Sequence, residues 1–337
     1  MRALLYRGPG VVEIDDLPAP ELARGEVLLD VRAAGICGTD RHIVAGDLGV
    51  LPDTVPGHEI AGRIVALGAG VTGWEIGRRV VCYGQVVCGE CRPCREGASH
   101  RCRRPQVLGM TRQGGFAEQI AVPQECLIRL PAAVPDEVAA IVPDAVATPF
   151  HALVTVGAMT PDDTVVIIGA GGVGLQAVLL TRMRGASLIV AVDPSAEARA
   201  AALIAGADRA VDPATDDPAK ALFELTGGAT LALECVGRAE SVELGMRALA
   251  PGGRLVIVGV GHEQPRLPPL IRFVAGETSI HGSFGSTMAE IETVLTLIAD
   301  GKLDVSRSIS QRVSLERAPE VFARPPTAGR TVIVSRP

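Results

Sequence analysis

Aromatic side chains are scarce in this chain, with one Trp, two Tyr and six Phe among 337 residues. A pocket walled by stacked rings is therefore not expected, and any substrate surface should be aliphatic and polar. Basic residues are outnumbered, 32 against 38 acidic ones, for a net charge of −6. That balance lacks the basic face that a phosphate backbone demands, so nucleic acid is not an expected partner. Long apolar runs are missing too. The nearest, Val165 to Leu180, is broken by glycines and falls short of the ~20 residues that cross a bilayer, so no membrane span is expected. At the start, Met1 to Tyr6 gives way to Arg7-Gly8-Pro9-Gly10, too short for the apolar core of a signal peptide. The expected compartment is the cytoplasm. Thiols stay reduced there, so the eight cysteines point to metal or catalysis before disulfides.

What is present is a globular composition, 47% hydrophobic and 21% charged, long enough for two domains at roughly 150 residues each. The first part reads as β-rich: Ala3–Tyr6, Val11–Ile14, Glu26–Ala33, Gly62–Leu67 and Arg79–Tyr83 are short apolar or alternating runs punctuated by Gly and Pro, the pattern of an antiparallel barrel or sandwich. From about residue 146 the rhythm changes to alternating strands and helices. Strands are predicted at Thr164–Ile168, Leu188–Val192, Arg209–Val211, Leu231–Glu234 and Arg254–Val258, with helices at Val173–Arg184, Ala196–Ile204, Ala219–Leu225 and Ser241–Leu249. Unbroken apolar strands between helices predict a parallel sheet covered on both faces. A last helix, Met288–Ala299, and strand, Thr331–Val334, are expected to rejoin the first domain. The expected division is 1–145, 146–285 and a returning segment 286–337.

Four cysteines, Cys88, Cys91, Cys94 and Cys102, have the spacing C-x2-C-x2-C-x7-C in a loop dense in Gly, Pro and Arg. Four thiolates this close can close a tetrahedron around one zinc ion, leaving no place for substrate: a structural site. The first three match the opening of bacterial ferredoxins, but the fourth spacing does not. Between Cys88 and Arg104, five arginines face two glutamates, a positive surplus that balances a zinc tetrathiolate. Elsewhere Cys37, in Gly35-Ile36-Cys37-Gly38-Thr39-Asp40, and His58, in Pro56-Gly57-His58-Glu59, offer a thiolate and an imidazole, and Asp144 is the best acidic third ligand. Three protein donors leave one position for an oxygen, as a catalytic zinc requires. Asp40 is placed to accept the second ring proton of His58, and Thr39 and His42 to carry a proton to solvent. Cys82, Cys126 and Cys235 read as small buried hydrophobes.

Gly169-Ala170-Gly171-Gly172-Val173-Gly174 satisfies G-x-G-x-x-G between a predicted strand and helix. Gly169 permits the turn, Gly171 lets backbone approach a pyrophosphate, and Gly174 allows close helix packing. Asp193 ends the next strand 19 residues after Gly174, where a carboxylate holds ribose hydroxyls and repels a 2′-phosphate. NAD is therefore expected over NADP, with Arg199 the residue that keeps NADP in contention.

Taken together, these residues and Gly114-Gly115-Phe116-Ala117-Glu118 resemble the zinc-dependent medium-chain alcohol dehydrogenase family over essentially the whole chain. The resemblance implies a GroES-like antiparallel β-barrel catalytic domain joined to a Rossmann doubly wound parallel-sheet coenzyme domain. It implies two zinc ions per chain, catalytic on Cys37, His58 and Asp144 and structural on the four-cysteine lobe, with Glu59 an occasional ligand. It also implies a proton relay through Thr39 and His42, a nicotinamide contact from Thr148, and a pyrophosphate contact from Arg330, for which a solvent-facing position is the alternative. Members vary among Cys, Asp and Glu at the place of Asp144, and Gly38 stands where some carry arginine. The implied reaction is hydride transfer between NAD and an alcohol, secondary alcohols and polyols included, reversible with the aldehyde or ketone. The other readings are an NADP-dependent reductase of carbonyls or activated double bonds, and a dinucleotide-binding regulator without catalysis. A homo-oligomer is implied, a tetramer before a dimer.

Overall fold

The computed structural model describes residues 1–335 apart from Thr215 and Pro326. The chain forms two compact units, one comprising Met1–Ala145, Ser286–Gly301 and the stretch from Ile309 onward, the other Val146–Gly285 and Lys302–Ser308. Among the described residues no helix is long and apolar enough to cross a membrane.

The first unit opens with a hairpin of β1 (Arg2–Gly8) and β2 (Val11–Asp16). Its main sheet holds β3 (Glu26–Ile36), β4 (Glu59–Leu67), β5 (Arg79–Cys82), β8 (Gln119–Pro123), β9 (Leu127–Arg129), β16 (Ile309–Val313) and β17 (Arg330–Val334), in the order β16-β17-β3-β4-β5-β9 with β8 also on β3. All pairs are antiparallel except β16 with β17. Alternate residues of β3, Val27, Leu29 and Val31, are buried with Leu4, Ile60, Ile64, Leu108 and Phe116 in one core, because successive strand side chains point to opposite faces. The small pair β6 (Gln85–Val86) and β7 (Gln106–Val107) frames the four-cysteine lobe, which contains the one-turn helix α2 (Arg92–Arg95). The helices of this unit are completed by α1 (Gly38–Ala45), α3 (Asp136–Ala140), α10 (Met288–Ala299) and α11 (Ala318–Phe322).

In the second unit six parallel strands, β10 (Thr164–Ile168), β11 (Leu188–Val192), β12 (Arg209–Val211), β13 (Ala229–Glu234), β14 (Leu249–Ile257) and β15 (Ser279–Gly282), lie in the order β12-β11-β10-β13-β14-β15. Counted within the unit this is 3-2-1-4-5-6, the Rossmann order, whose direction reverses between β10 and β13. The helices are α4 (Ala147–Phe150), α5 (Gly172–Met183), α6 (Ala196–Ala205), α7 (Pro218–Thr226), α8 (Ala239–Arg247) and α9 (Leu270–Ala275). The strands β10, β11 and β12 run over the residues read from the sequence. β14 begins earlier, at Leu249, because Pro251-Gly252-Gly253 lies within the strand at a register shift opposite Ala229 and Leu231, where a proline is tolerated. β15 and α9 were not expected; β15 has only four residues and none fully buried, so it carries no apolar run. Residues 302–308, read as part of the returning segment, cluster with the second unit: there the buried Gln176 of α5 donates its amide to the Ser308 hydroxyl.

Asp163, at the head of β10, is 5% exposed and accepts hydrogen bonds from Arg254 Nη2 (2.7 Å), Thr230 Oγ1 (2.6 Å) and the Thr160 backbone (2.7 Å). Burial alone would raise its carboxyl pKa, but the Arg254 and backbone hydrogen bonds outweigh it and hold the group below the usual range. Its stabilisation is therefore complete above the unfolded value of about 3.9 and is lost as pH falls through the lower folded value. Asp163→Asn is expected to cost about 3 kcal/mol by leaving Arg254 without its carboxylate. Urea unfolding at neutral pH measures this, and the difference from wild type should shrink as the pH drops below the ordinary aspartate range.

Candidate metal centres and dinucleotide turn

In the four-cysteine lobe the thiols of Cys88, Cys91, Cys94 and Cys102 lie within 4.8 Å of one another. Sulfur–sulfur distances are 3.4 Å for Cys91–Cys94, 3.6 Å for Cys88–Cys102 and 4.0 Å for Cys91–Cys102. A tetrahedron with Zn–S bonds of about 2.3 Å has edges of about 3.8 Å. The four thiols thus fit a closed zinc shell. Hydrogen bonds from the Glu90 and Cys91 backbone bring the Cys88 thiol down to about 6, whereas burial pushes Cys94 up to about 12. All eight cysteines are free thiols. Cys82 and Cys126 are buried as expected; Cys235 is only partly so.

The second group is assembled by three separate devices. Cys37 precedes α1, and Asp40 Oδ2 accepts its backbone N–H at 2.8 Å, which fixes the helix start. His58 is presented by a turn at Gly57, whose φ is +98°. The Gly114-Gly115-Phe116 loop clamps that turn through bonds from Gly114 N to Val55 O, Gly115 N to Gly57 O and Phe116 N to Pro56 O, at 2.7, 2.8 and 3.0 Å. A Cβ on Gly114 would lie 2.4 Å from the Gly57 and Pro56 carbonyl oxygens, so only glycine permits the approach. Asp144 sits on a π-helical turn, Val142–Val146, a geometry frequent at functional sites because it widens the helix locally.

These devices bring donor atoms of Cys37, His58, Glu59 and Asp144 within 4.8 Å of one another. The Cys37 thiol donates to Asp144 Oδ2 at 3.1 Å, and His58 Nε2 lies 3.6 Å from the same oxygen. The other ring nitrogen, Nδ1, faces Asp40 Oδ1 at 3.6 Å, and neither of those two buried atoms has a hydrogen-bond partner. Burial alone would lower the His58 pKa, but the charge of Asp40 and the hydrogen bonds of Asp144 and Cys37 raise it well above the ordinary histidine range. Burial would raise Asp144; the hydrogen bond and charge of His58, with the charge of Arg330, hold it well below the carboxylate range instead. Burial pushes Glu59 up to about 8, Arg330 offsetting it only in part. A thiol, an imidazole and a carboxylate converging on one buried point, in a surplus of negative charge, are the donor set of zinc.

Thr39 Oγ1 is 3.7 Å from the Cys37 sulfur. His42, one turn further along α1, is 59% exposed and pairs through Nδ1 with Asp47 at 2.9 Å. Asp47 has no motif to mark it. Arg330 is not the solvent-facing residue its loop-like setting allows. It is 4% exposed, pairs with the fully buried Glu59 at 2.7 Å and lies 3.6 Å from Asp144; Nη1 reaches Ile36 O at 3.5 Å. Nη1 and Nη2 are thus engaged inside the β-rich unit, while Nε has no hydrogen-bond partner among the described residues. Register explains it: Arg330 starts β17, which pairs with β3 beside β4, where Glu59 begins. No local signal marks a pair 271 residues apart.

In the second unit Gly169 adopts φ +89°, and a Cβ on Gly174 would lie 1.7 Å from Gly169 O. Around Gly171, the residue before α5, a Cβ would meet nothing within 4 Å. No side chain among the described residues caps the helix there, so its first N–H groups lack a side-chain partner beside the open space at Gly171, the kind of cradle a pyrophosphate takes. Asp193 lies beside this turn, its Oδ2 accepting from Ala170 N at 2.8 Å. Thr148 is buried on α4.

Fold and donor sets together define a zinc-binding dehydrogenase. The model of the alcohol dehydrogenase GroES-like domain matches residues 23–132, and that of the zinc-binding dehydrogenase domain matches 172–300. The L-threonine 3-dehydrogenase of Bacillus subtilis (strain 168) is 30% identical over 344 residues, covering 99% of this chain and 98% of the relative. The alcohol dehydrogenase TADH from Thermus sp. ATN1 superimposes with a TM-score of 0.93 at 33% identity, covering 100% of both chains. A zinc-binding dehydrogenase from Sinorhizobium meliloti 1021, bound to NADP, gives 0.91 at 30% identity, covering 99% of both. The chain belongs to the zinc-dependent medium-chain dehydrogenase family and is an oxidoreductase.

Proposed function

We propose that this chain is an NAD-dependent zinc dehydrogenase that interconverts an alcohol with its aldehyde or ketone, secondary alcohols and polyols included. Residues 1–145 form its catalytic domain, 146–285 its coenzyme domain, and 286–337 largely return to the first. The observation that carries the reading is the convergence of Cys37, His58 and Asp144 on one buried point, with a glycine turn built for a pyrophosphate in the same chain.

Cys37, His58 and Asp144 would hold the catalytic zinc, which when bound supplies a Lewis acid for the substrate oxygen. Nicotinamide supplies the hydride acceptor. Asp40 Oδ1 faces Nδ1 and the donor cluster faces Nε2, the arrangement in which a carboxylate would accept the Nδ1 proton once the ring closes on the metal. Thr39 Oγ1, beside Cys37, accepts the hydroxyl proton as the carbon-bound hydrogen leaves as hydride. His42 receives that proton at the surface, three residues along the same face of α1, where its Nδ1 lies 2.9 Å from Asp47. Arg330 pairs with Glu59, whose carboxyl lies within 4.8 Å of the three ligand atoms, so that Glu59 is a reserve ligand. The Cys88, Cys91, Cys94 and Cys102 site holds its ion for structure alone. Thr148 contacts the nicotinamide.

A second reading, an NADP-dependent reductase, is favoured by the NADP-bound relative from Sinorhizobium meliloti and by Arg199 close to Asp193. L-Threonine joins the substrate candidates through the Bacillus relative. Initial rates with NAD and NADP over a panel of alcohols, polyols and L-threonine decide among these. Elemental analysis is expected to find about two zinc ions per chain for the enzyme; a non-catalytic regulator would carry one or none and show no turnover. A cytoplasmic homo-oligomer, a tetramer before a dimer, completes the proposal. Its homo-oligomeric part is supported by exposed apolar residues of the second unit, Val260, Leu267, Leu270, Ile271 and Val274, side chains of the kind that subunit contacts cover. Light scattering after size exclusion reads the assembly directly.

A further inference from the structure

We propose that Asp212 is a specificity-determining residue: by committing Arg199 to an ion pair at the sheet edge, it denies a 2′-phosphate the guanidinium beside Asp193. This rests on the dinucleotide reading above.

Asp193 and Asp212 follow neighbouring parallel strands, β11 and β12, whose last residues Val192 and Val211 are register partners. Asp193 N donates to Val211 O at 3.2 Å, so two carboxylates leave the sheet side by side. Like charges on adjacent strands repel. Arg199, in the first turns of α6, relieves this. Its Nη1 donates to the backbone oxygens of Asp193 and Pro194 at 2.7 and 2.9 Å and pairs with Asp212 Oδ2 at 2.9 Å. The other Asp212 oxygen accepts from Ala214 N at 3.0 Å, which fixes the carboxylate. Asp193 itself is spent differently: Oδ2 takes Ala170 N of the glycine turn and Oδ1 takes Ser195 N, both at 2.8 Å. Its carboxylate therefore makes no hydrogen bond to Arg199 among the described residues.

The consequence is electrostatic. Two carboxylates and one guanidinium leave this corner negative, which suits the hydroxyls of an unphosphorylated ribose and repels a dianionic phosphate. Arginine near the ribose is the usual device for accepting that phosphate, and here the arginine is present but tied down. Arg199 is 22% exposed, within reach of solvent once its partner is neutral. Asp212→Asn removes the ionic part of the tie and one negative charge together, with little change in shape, and leaves only the two backbone hydrogen bonds to hold Arg199.

Binding of NADH and NADPH, followed by fluorescence on the purified zinc-loaded protein, tests this, with calorimetry of 5′-AMP and 2′,5′-ADP as a readout independent of the metal site. The wild type is expected to prefer NADH. Asp212→Asn should narrow the NADH-to-NADPH affinity ratio by about tenfold, the effect of one unit charge at short range. Asp212→Glu, which keeps the charge, should leave the wild-type preference, and adding Arg199→Ala to Asp212→Asn should abolish the gain in NADPH and 2′,5′-ADP binding. A merely structural role for Asp212 would weaken both coenzymes alike and leave the ratio unmoved. An unchanged ratio in Asp212→Asn, a gain that survives Arg199→Ala, or a wild type that prefers NADPH overturns the proposal. A wild type that binds neither coenzyme overturns the dinucleotide reading and this proposal with it.

Discussion

Cys37→Ala is expected to lower kcat/KM by at least about 10³-fold, roughly 4 kcal/mol of transition-state stabilisation, while the fold survives. Cys37 contributes the thiol of the three-donor cluster, and without it His58 and Asp144 cannot retain zinc in the geometry a reacting oxygen needs. The fold should persist because Asp40 anchors α1 through the Cys37 backbone N–H, not its sulfur. Zinc content should fall from two ions per chain to one, held by the Cys88–Cys102 lobe, with little change in circular dichroism. Turnover retained in the variant with that single ion would remove the Cys37 cluster from the chemistry.

The largest stability effect is expected at Arg330. Its guanidinium, 4% exposed, lies against Glu59 and within 3.6 Å of Asp144. Arg330→Ala removes the guanidinium that pairs with Glu59 and faces Asp144, so Glu59 must take up a proton and the volume of the buried arginine is left unfilled, a change that costs about 4 kcal/mol. Arg330→Met with Glu59→Gln should recover most of that loss, since no charge is then left buried alone. Urea unfolding of wild type, Arg330→Met, Glu59→Gln and the double variant closes the cycle and gives the coupling directly. A loss below about 1 kcal/mol, the size of a surface pair, would show that this pair does not hold the β-rich unit together.

Much of this site was legible in the chain because its chemistry is local. The lobe cysteines fall within 15 residues, and the glycine turn within six, so spacing alone constrains their geometry. β10 and β11 were legible for the same reason: buried parallel strands cannot hide their apolarity. What escaped was set by register between distant strands. Arg330 meets Glu59 because β17 lies against β3 and β3 against β4; Arg199 meets Asp212 because β12 lies beside β11. The short edge strand β15 escaped because a strand bordering solvent needs no apolar run.

Residue identity and spacing by themselves marked the two clusters of metal-type donors and the glycine turn, since thiols, imidazoles and glycines have few substitutes for those tasks. Only the tertiary structure decided which charges neutralise one another. An ion pair is worth little in water and much in a buried site, and burial is a property of the packed sheet, not of any segment read alone.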